Sequence, residues 1–175
     1  DALQIGKIEV TGAPLAEYQM TGEKLVLDFA EPIAPDHEVV LCVEYSVEPR
    51  NGLYFRTPEM GYKQGDTQLW TQGEAELHRF WFPCYDYPNE RFTSEVICTV
   101  PKGMEVVSNG SLVGKVAEGE SVRWHWRQDQ PNVNYLIALA AGNFYKLEDK
   151  TGRVPLAMLV PMSEKDQAAA AFRDT

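Results

Sequence analysis

A chain of 175 residues is long enough for one domain with a packed core and short for two. Its 44% hydrophobic and 24% charged residues are a globular balance, and a net charge of −10 argues against a nucleic-acid partner, which needs a basic face for phosphates. No run approaches the ~20 apolar residues that span a bilayer, and three cysteines, Cys42, Cys84 and Cys98, are neither a disulfide framework nor spaced as a zinc ribbon or a redox pair.

Residues 3–10 alternate apolar and polar and predict a half-buried strand, followed by turn chemistry at Thr11-Gly12-Ala13-Pro14. The strand already under way at the first residues suggests a chain cut from something longer. Leu25, Leu27 and Phe29 share one face of a second strand, and Pro32 and Pro35 bracket a loop. From His37 to Glu48, Val39, Leu41, Val43, Tyr45 and Val47 alternate with polar residues, the clearest strand pattern in the chain. The run His37-Glu38-Val39-Val40-Leu41 is a near miss of H-E-x-x-H. That motif needs two histidines on one helix face, whereas Leu41 holds the second ligand position and the local period is that of a strand, so no zinc site is expected there.

Asn51-Gly52 and Asn109-Gly110 each predict a hairpin turn. Between them, Phe92, Ser94, Val96, Cys98 and Val100 line one face of a strand, with Cys98 as a small core residue. Val122, Trp124 and Trp126 share a face in a later strand, and Tyr135 to Leu147 is apolar on both faces as far as Gly142, the pattern of a central strand. Pro155 to Val160 is one more strand. Ser163 then offers a helix N-cap, followed by the helix formers Ala168 to Ala171.

The densest stretch is Trp70-Thr71-Gln72-Gly73-Glu74-Ala75-Glu76-Leu77-His78-Arg79-Phe80-Trp81-Phe82-Pro83-Cys84-Tyr85-Asp86-Tyr87-Pro88. Phe80, Trp81 and Phe82 break any alternation, and Pro83 with Pro88 forbids a helix through the second half. Irregular chain of this kind packs over a core by its aromatics and often carries function. Arg79 and Asp86 read as a structural ion pair or Asx turn, and His78 as a surface residue. Glu74 and Glu76 are spaced too commonly to argue for a glycosidase acid pair.

This stretch resembles the signature of the N-terminal domain of the aminopeptidase N and leukotriene hydrolase family of zinc metallopeptidases. Gln72, Glu74, Ala75, Arg79, Phe82, Pro83, Cys84, Tyr85, Asp86 and Pro88 fit its pattern, and Tyr87, where relatives are often acidic, suggests a bacterial branch. The Tyr-Leu-Ile-Ala run at 135–138 and Gly142-Asn143-Phe144 are similar to the family as well, while Gly103-Met104-Glu105 is a chance echo of its exopeptidase motif.

The resemblance implies two units. Residues 1–161 would be a saddle-like antiparallel β-sandwich, all-β with about ten to twelve short strands. Residues 162–175 would start the first helix towards a catalytic domain absent from this chain. It implies a parent enzyme that removes N-terminal residues from peptides, with zinc as cofactor and both the zinc ligands and the catalytic residues in the other domain. Within this chain it implies substrate binding by Glu74, gripping the free α-amine, and by Gln72, lining the pocket for the first side chain. An α-amine of pKa roughly 8 is largely cationic at neutral pH, and a carboxylate would hold it by a charge-assisted hydrogen bond. Two other readings remain open: a scaffold derived from a zinc-less relative, and a carbohydrate-binding sandwich using Trp70, Trp81, Trp124 and Trp126. The second demands solvent-exposed tryptophans. No compartment is assigned.

Overall fold

The computed structural model describes residues 3–22 and 24–173. Among them the chain forms thirteen strands, four short 3-10 turns and one short helix, and every strand pair is antiparallel. The architecture is all-β, as the alternating patterns require.

The strands are β1 (Gln4–Thr11), β2 (Leu15–Thr21), β3 (Lys24–Phe29), β4 (Val40–Ser46), β5 (Leu53–Arg56), β6 (Gln68–Thr71), β7 (Phe92–Pro101), β8 (Glu105–Ser108), β9 (Ser111–Glu118), β10 (Ser121–Asn132), β11 (Leu139–Gly142), β12 (Phe144–Asp149) and β13 (Leu156–Pro161). The helix α1 covers Lys165–Ala171. Two sheets make the core: β7-β10-β9 and β5-β6-β11-β8. Val100, Val122 and Trp124 from the first meet Val106, Leu139 and Ala141 from the second, with Leu69, Val96, Cys98, Met104 and Trp126 around them. The alternation in β7 and β10 therefore marks a real buried face, and Cys98 sits on it. Burial of these side chains stabilises by roughly 1.5–3 kcal/mol for each large one.

The other sheets are two-stranded: β1-β4, β2-β3 and β12-β13. The strand β2 has no counterpart in the sequence reading. Its only half-buried residue is Leu15, so it has no continuous buried face to produce a pattern. The strand read from the alternation at 37–48 is present as β4, but its apolar face is not core: Leu41 is 44% and Tyr45 37% exposed. These two residues, with Ile5, Val43, Leu25 and Leu27, line an open cleft of about 900 Å³.

Four sequence expectations change. Neither Asn-Gly turn closes a hairpin. The strands before and after Asn51-Gly52 pair with β1 and β6 respectively. Those flanking Asn109-Gly110 pair with β11 and β10, so the turn carries the chain from one core sheet to the other. Gly110 takes φ 78° there, and its Cα faces the Arg127 carbonyl so closely that a Cβ would lie 1.9 Å from the oxygen. The Asn109 side chain anchors this corner, donating from Nδ2 to the Leu136 carbonyl (3.0 Å) and accepting from the Ala138 N–H (2.5 Å). The run 135–147 is not one strand: a 3-10 turn, Asn134–Leu136, comes first, then β11, which is the expected central strand between β6 and β8 and ends at Gly142, and then β12. Finally, Ser163 does not cap α1. It lies in the 3-10 turn before the helix, and its hydroxyl donates to Asp66 Oδ2 at 2.6 Å.

Candidate functional site

The stretch 70–88 begins as a strand and then turns to irregular chain across the end of the β5-β6-β11-β8 sheet. Thr71, the last residue of β6, accepts the Leu139 N–H on its hydroxyl at 2.9 Å. The Gln72 N–H then donates to the Gly52 carbonyl at 2.9 Å, and the Leu77 N–H to the Gly73 carbonyl at 2.9 Å. Between these ties the loop 72–77 is exposed at Gln72 and Glu74 but buried at Gly73. The Gln72 Oε1 accepts the Glu74 N–H at 3.1 Å, and the Glu74–Ala75 peptide is cis.

Glu74 thus stands on a tethered backbone with its side chain in solvent. Among the described residues no lysine, arginine or histidine pairs with its carboxylate. Glu76, two residues on, differs: Arg79 Nη2 donates to it at 2.5 Å. One carboxylate is neutralised within the fold and the other is left free, so the loop provides no pair of free acids.

Below the loop lies a buried polar network. Asp86, 5% exposed, accepts the Arg79 N–H at 3.1 Å and Arg79 Nε–H at 3.0 Å on Oδ2, and Asn134 Nδ2 at 2.5 Å on Oδ1. Arg79 and Asp86 are the structural pair that the sequence suggests, and Asp86 keeps the guanidinium firmly protonated. Asn134 is fully buried and also reaches Cys84 Sγ at 3.4 Å. Burial, aided by the Asp86 charge, pushes the Cys84 thiol up to about 12, so it is no nucleophile at neutral pH. Sequence reasoning did not single out Asn134; a lone asparagine in a connecting segment carries no local signal of burial.

His78 is the main correction. Expected at the surface, it is fully buried. Its Nδ1 accepts the Trp81 indole N–H at 2.8 Å, which places the ring proton on Nε2. Nε2 makes no hydrogen bond of regular geometry. Burial pulls the imidazole below its ordinary value, against smaller opposing pulls from the Asp86 carboxylate and the Ile137 carbonyl. The cue missed in the sequence is Gly73: a Cβ there would lie 2.4 Å from His78 Nε2, so only glycine leaves room for the ring.

The resemblance assigns the zinc ligands to the other domain rather than to this chain. Among the described residues no group of three His, Cys, Asp or Glu side chains is placed to hold a metal ion. His37 contacts the Gly12 carbonyl, His125 contacts Glu95 and His78 contacts Trp81, each in a different part of the fold. The carbohydrate platform fails too, since Trp124 is 3% exposed and Trp126 packs beside it against the core. No helix among the described residues is long and apolar enough to cross a membrane.

Residues 2–136 match the Peptidase M1 N-terminal domain. The chain is 30% identical over 152 residues to aminopeptidase N of Haemophilus influenzae, covering 85% of this chain and 17% of that protein. It is 28% identical over 135 residues to human aminopeptidase B, covering 77% of this chain and 20% of that one. The fold superposes on the crystal structure of an M1 zinc metallopeptidase from Deinococcus radiodurans with TM-score 0.67 at 17% identity, over 89% of this chain and 36% of that chain. The chain spans about a fifth of the length of these curated relatives. Bacterial and human relatives match at similar identity, so identity alone does not assign the branch that Tyr87 suggests. Through its N-terminal domain, the chain belongs to the peptidase M1 family of zinc aminopeptidases.

Proposed function

We propose that this chain is the non-catalytic N-terminal domain of a zinc-dependent aminopeptidase, and that Glu74 anchors the free α-amine of peptide substrates for removal of the N-terminal residue. The observation that carries this reading is the free Glu74 carboxylate on a loop tied at both ends, beside a Glu76 already engaged by Arg79. Residues 162–175, the start of α1 included, would lead into the catalytic domain, which would supply the zinc ligands and all residues that act on the peptide bond. Gln72 would serve twice: its Oε1 holds the Glu74 N–H, and its amide nitrogen faces the first substrate side chain or backbone.

In the closed cleft between two domains, the ammonium–carboxylate pair would be desolvated and strong. On this domain alone it would be an exposed ion pair of about 0–1 kcal/mol, so the domain by itself should be inactive and bind peptides weakly.

The test uses the full-length protein. Hydrolysis of amino-acid anilides should be lost to a chelator and restored by zinc. Glu74→Ala should then raise the barrier for free-amine substrates by on the order of 2–5 kcal/mol. An unchanged preference for free over N-acetylated substrates in that variant would defeat the anchoring role. A folded full-length protein that retains no zinc and cleaves nothing would favour a scaffold instead.

A further inference from the structure

We propose that His78 is a positioning residue for Glu74: its ring, held from below by Trp81, is the floor on which Gly73 rests, and it thereby sets where the Glu74 carboxylate stands. This rests on the anchoring role of Glu74 and adds the device that holds it.

The geometry of the loop base carries the inference. Two glycines seat it. A Cβ at Gly73 would lie 2.4 Å from His78 Nε2, 2.7 Å from Cε1 and 2.5 Å from the Tyr135 carbonyl. A Cβ at Gly52 would lie 2.0 Å from the Leu77 carbonyl and 2.9 Å from Trp81 Cδ1. Gly73, which follows Gln72, is therefore pressed onto His78, and Gly52, which accepts the Gln72 N–H, onto the Leu77 carbonyl and Trp81. The two rings are locked by the indole-to-imidazole hydrogen bond of 2.8 Å and an edge-on packing of 81°. Gly52 in turn holds the Gln72 N–H, and Gln72 holds the Glu74 N–H. Two of the ties that reach Glu74, Gln72 N–H to Gly52 and Leu77 N–H to Gly73, thus involve a glycine seated on this platform, while Thr71 is held separately by β11.

Packing alone does not explain a histidine here. A buried ring whose Nε2–H makes no hydrogen bond of regular geometry, with only the Ile137 carbonyl pulling on it, is under-satisfied at a cost of about 1–3 kcal/mol at most, which an apolar ring would avoid only by orphaning the Trp81 N–H. What the imidazole alone offers is an acceptor for Trp81 on one side and a thin, rigid N–H edge against Gly73 on the other. The edge fixes the height of the loop to within a van der Waals contact, and a misplacement of ~1 Å at a binding group can cost ~100-fold in rate.

The test compares two replacements in the full-length enzyme. His78→Asn keeps an acceptor for Trp81 but removes the Nε2 edge, whereas His78→Gln can place a donor near Nε2. The readout is the ratio of kcat/KM for an amino-acid anilide to that for its des-amino analogue, with kcat and KM resolved. His78→Asn should lower this ratio by about 10- to 100-fold, mainly through KM for the free-amine substrate, and His78→Gln should restore part of it. A plain structural role would lower both substrates together. An unchanged ratio in a folded His78→Asn enzyme overturns the inference. If that variant does not fold, the His78→Gln enzyme and Gly73→Ala, whose methyl presses on both the ring and the Tyr135 carbonyl, are read instead, and an unchanged ratio in either folded variant overturns the inference. Glu74→Gln is measured in parallel: if it leaves the ratio intact, the anchoring role itself has failed, and if it abolishes the ratio while His78→Asn does not, only the positioning role has.

Discussion

Removing the Asp86 carboxylate should unseat the segment on which the candidate site is built. Asp86→Ala deletes three hydrogen bonds at once, from Arg79 N–H, Arg79 Nε–H and Asn134 Nδ2. Asn134 is fully buried and cannot turn to water, while the Arg79 side chain is 27% exposed and can recover part of its hydration. Breaking a buried charged pair by deleting one partner costs about 3–5 kcal/mol. The partial exposure of Arg79 puts the expectation at the low end, about 3 kcal/mol. In a domain of this size each kcal/mol moves Tm by about 2–4 °C, which gives a fall of roughly 6–12 °C. Asp86→Asn, which keeps the shape and an acceptor oxygen but not the charge, should lose about half as much. Thermal unfolding followed by circular dichroism, with urea titration as a second probe, reads the difference. An Asp86→Ala protein within about 1 kcal/mol of the parent would show that the network is surface decoration rather than the clamp under the loop.

Other outcomes are expected from the same geometry. Because burial lowers the His78 value below the ordinary 6.5, the unfolded chain takes up its proton first as pH falls. The contribution of His78 to stability is complete above 6.5 and is lost below it, by up to about 1.4 kcal/mol per pH unit until the folded-state value is reached. Urea midpoints measured from pH 8 to pH 5 should show this slope, and His78→Asn should flatten it; an equal slope in the variant would mean that other groups govern the acid limb. Cys42 is exposed, whereas Cys84 and Cys98 are partly buried with thiols raised by burial. Brief alkylation at pH 8 followed by peptide mass mapping should therefore label Cys42 first, and early labelling of Cys84 would contradict its packing against Asn134. Gln72→Ala and Glu74→Ala should be strongly non-additive in kcat/KM if Gln72 acts by holding the Glu74 N–H, and additive if Gln72 works only through its own substrate contact.

The fold was legible wherever burial imposed a period. β7 and β10 alternate because one face of each meets the opposing core sheet, and Val96, Cys98, Val100, Val122 and Trp124 could be placed from the sequence for that reason. β2 was not legible because only Leu15 of its residues is even half-buried. The Asn-Gly turns were legible as reversals but not as corners. A two-residue turn encodes local geometry, and whether the outgoing strand rejoins the incoming one depends on which sheet it packs against. At Asn109-Gly110 the deciding contacts, to Leu136, Ala138 and Arg127, come from far along the chain. Ser163 failed as a cap for the same reason, since Asp66, nearly a hundred residues earlier (|i−j| = 97), takes its hydroxyl.

The site was legible in its charges and not in its foundation. Arg79 and Asp86 lie close in sequence within a proline-bounded turn, so their pairing is a local matter and could be read directly. Glu74 was reached through the pattern around it, and the structure contributes the physical difference between it and Glu76: one carboxylate free, one consumed by Arg79. His78 escaped because its burial depends on what is missing elsewhere. Gly73 has no side chain, and that vacancy is what the ring fills. Asn134 escaped because its partners, Asp86 and Cys84, are separated from it by |i−j| = 48 and 50. A signature of this kind therefore names exposed polar groups such as Glu74 and Gln72, while the contacts beneath them are written as pairs of complementary volumes, such as Gly73 with His78 and Gly52 with Trp81. Such pairs become readable only when each glycine is asked what occupies the space its side chain would have taken.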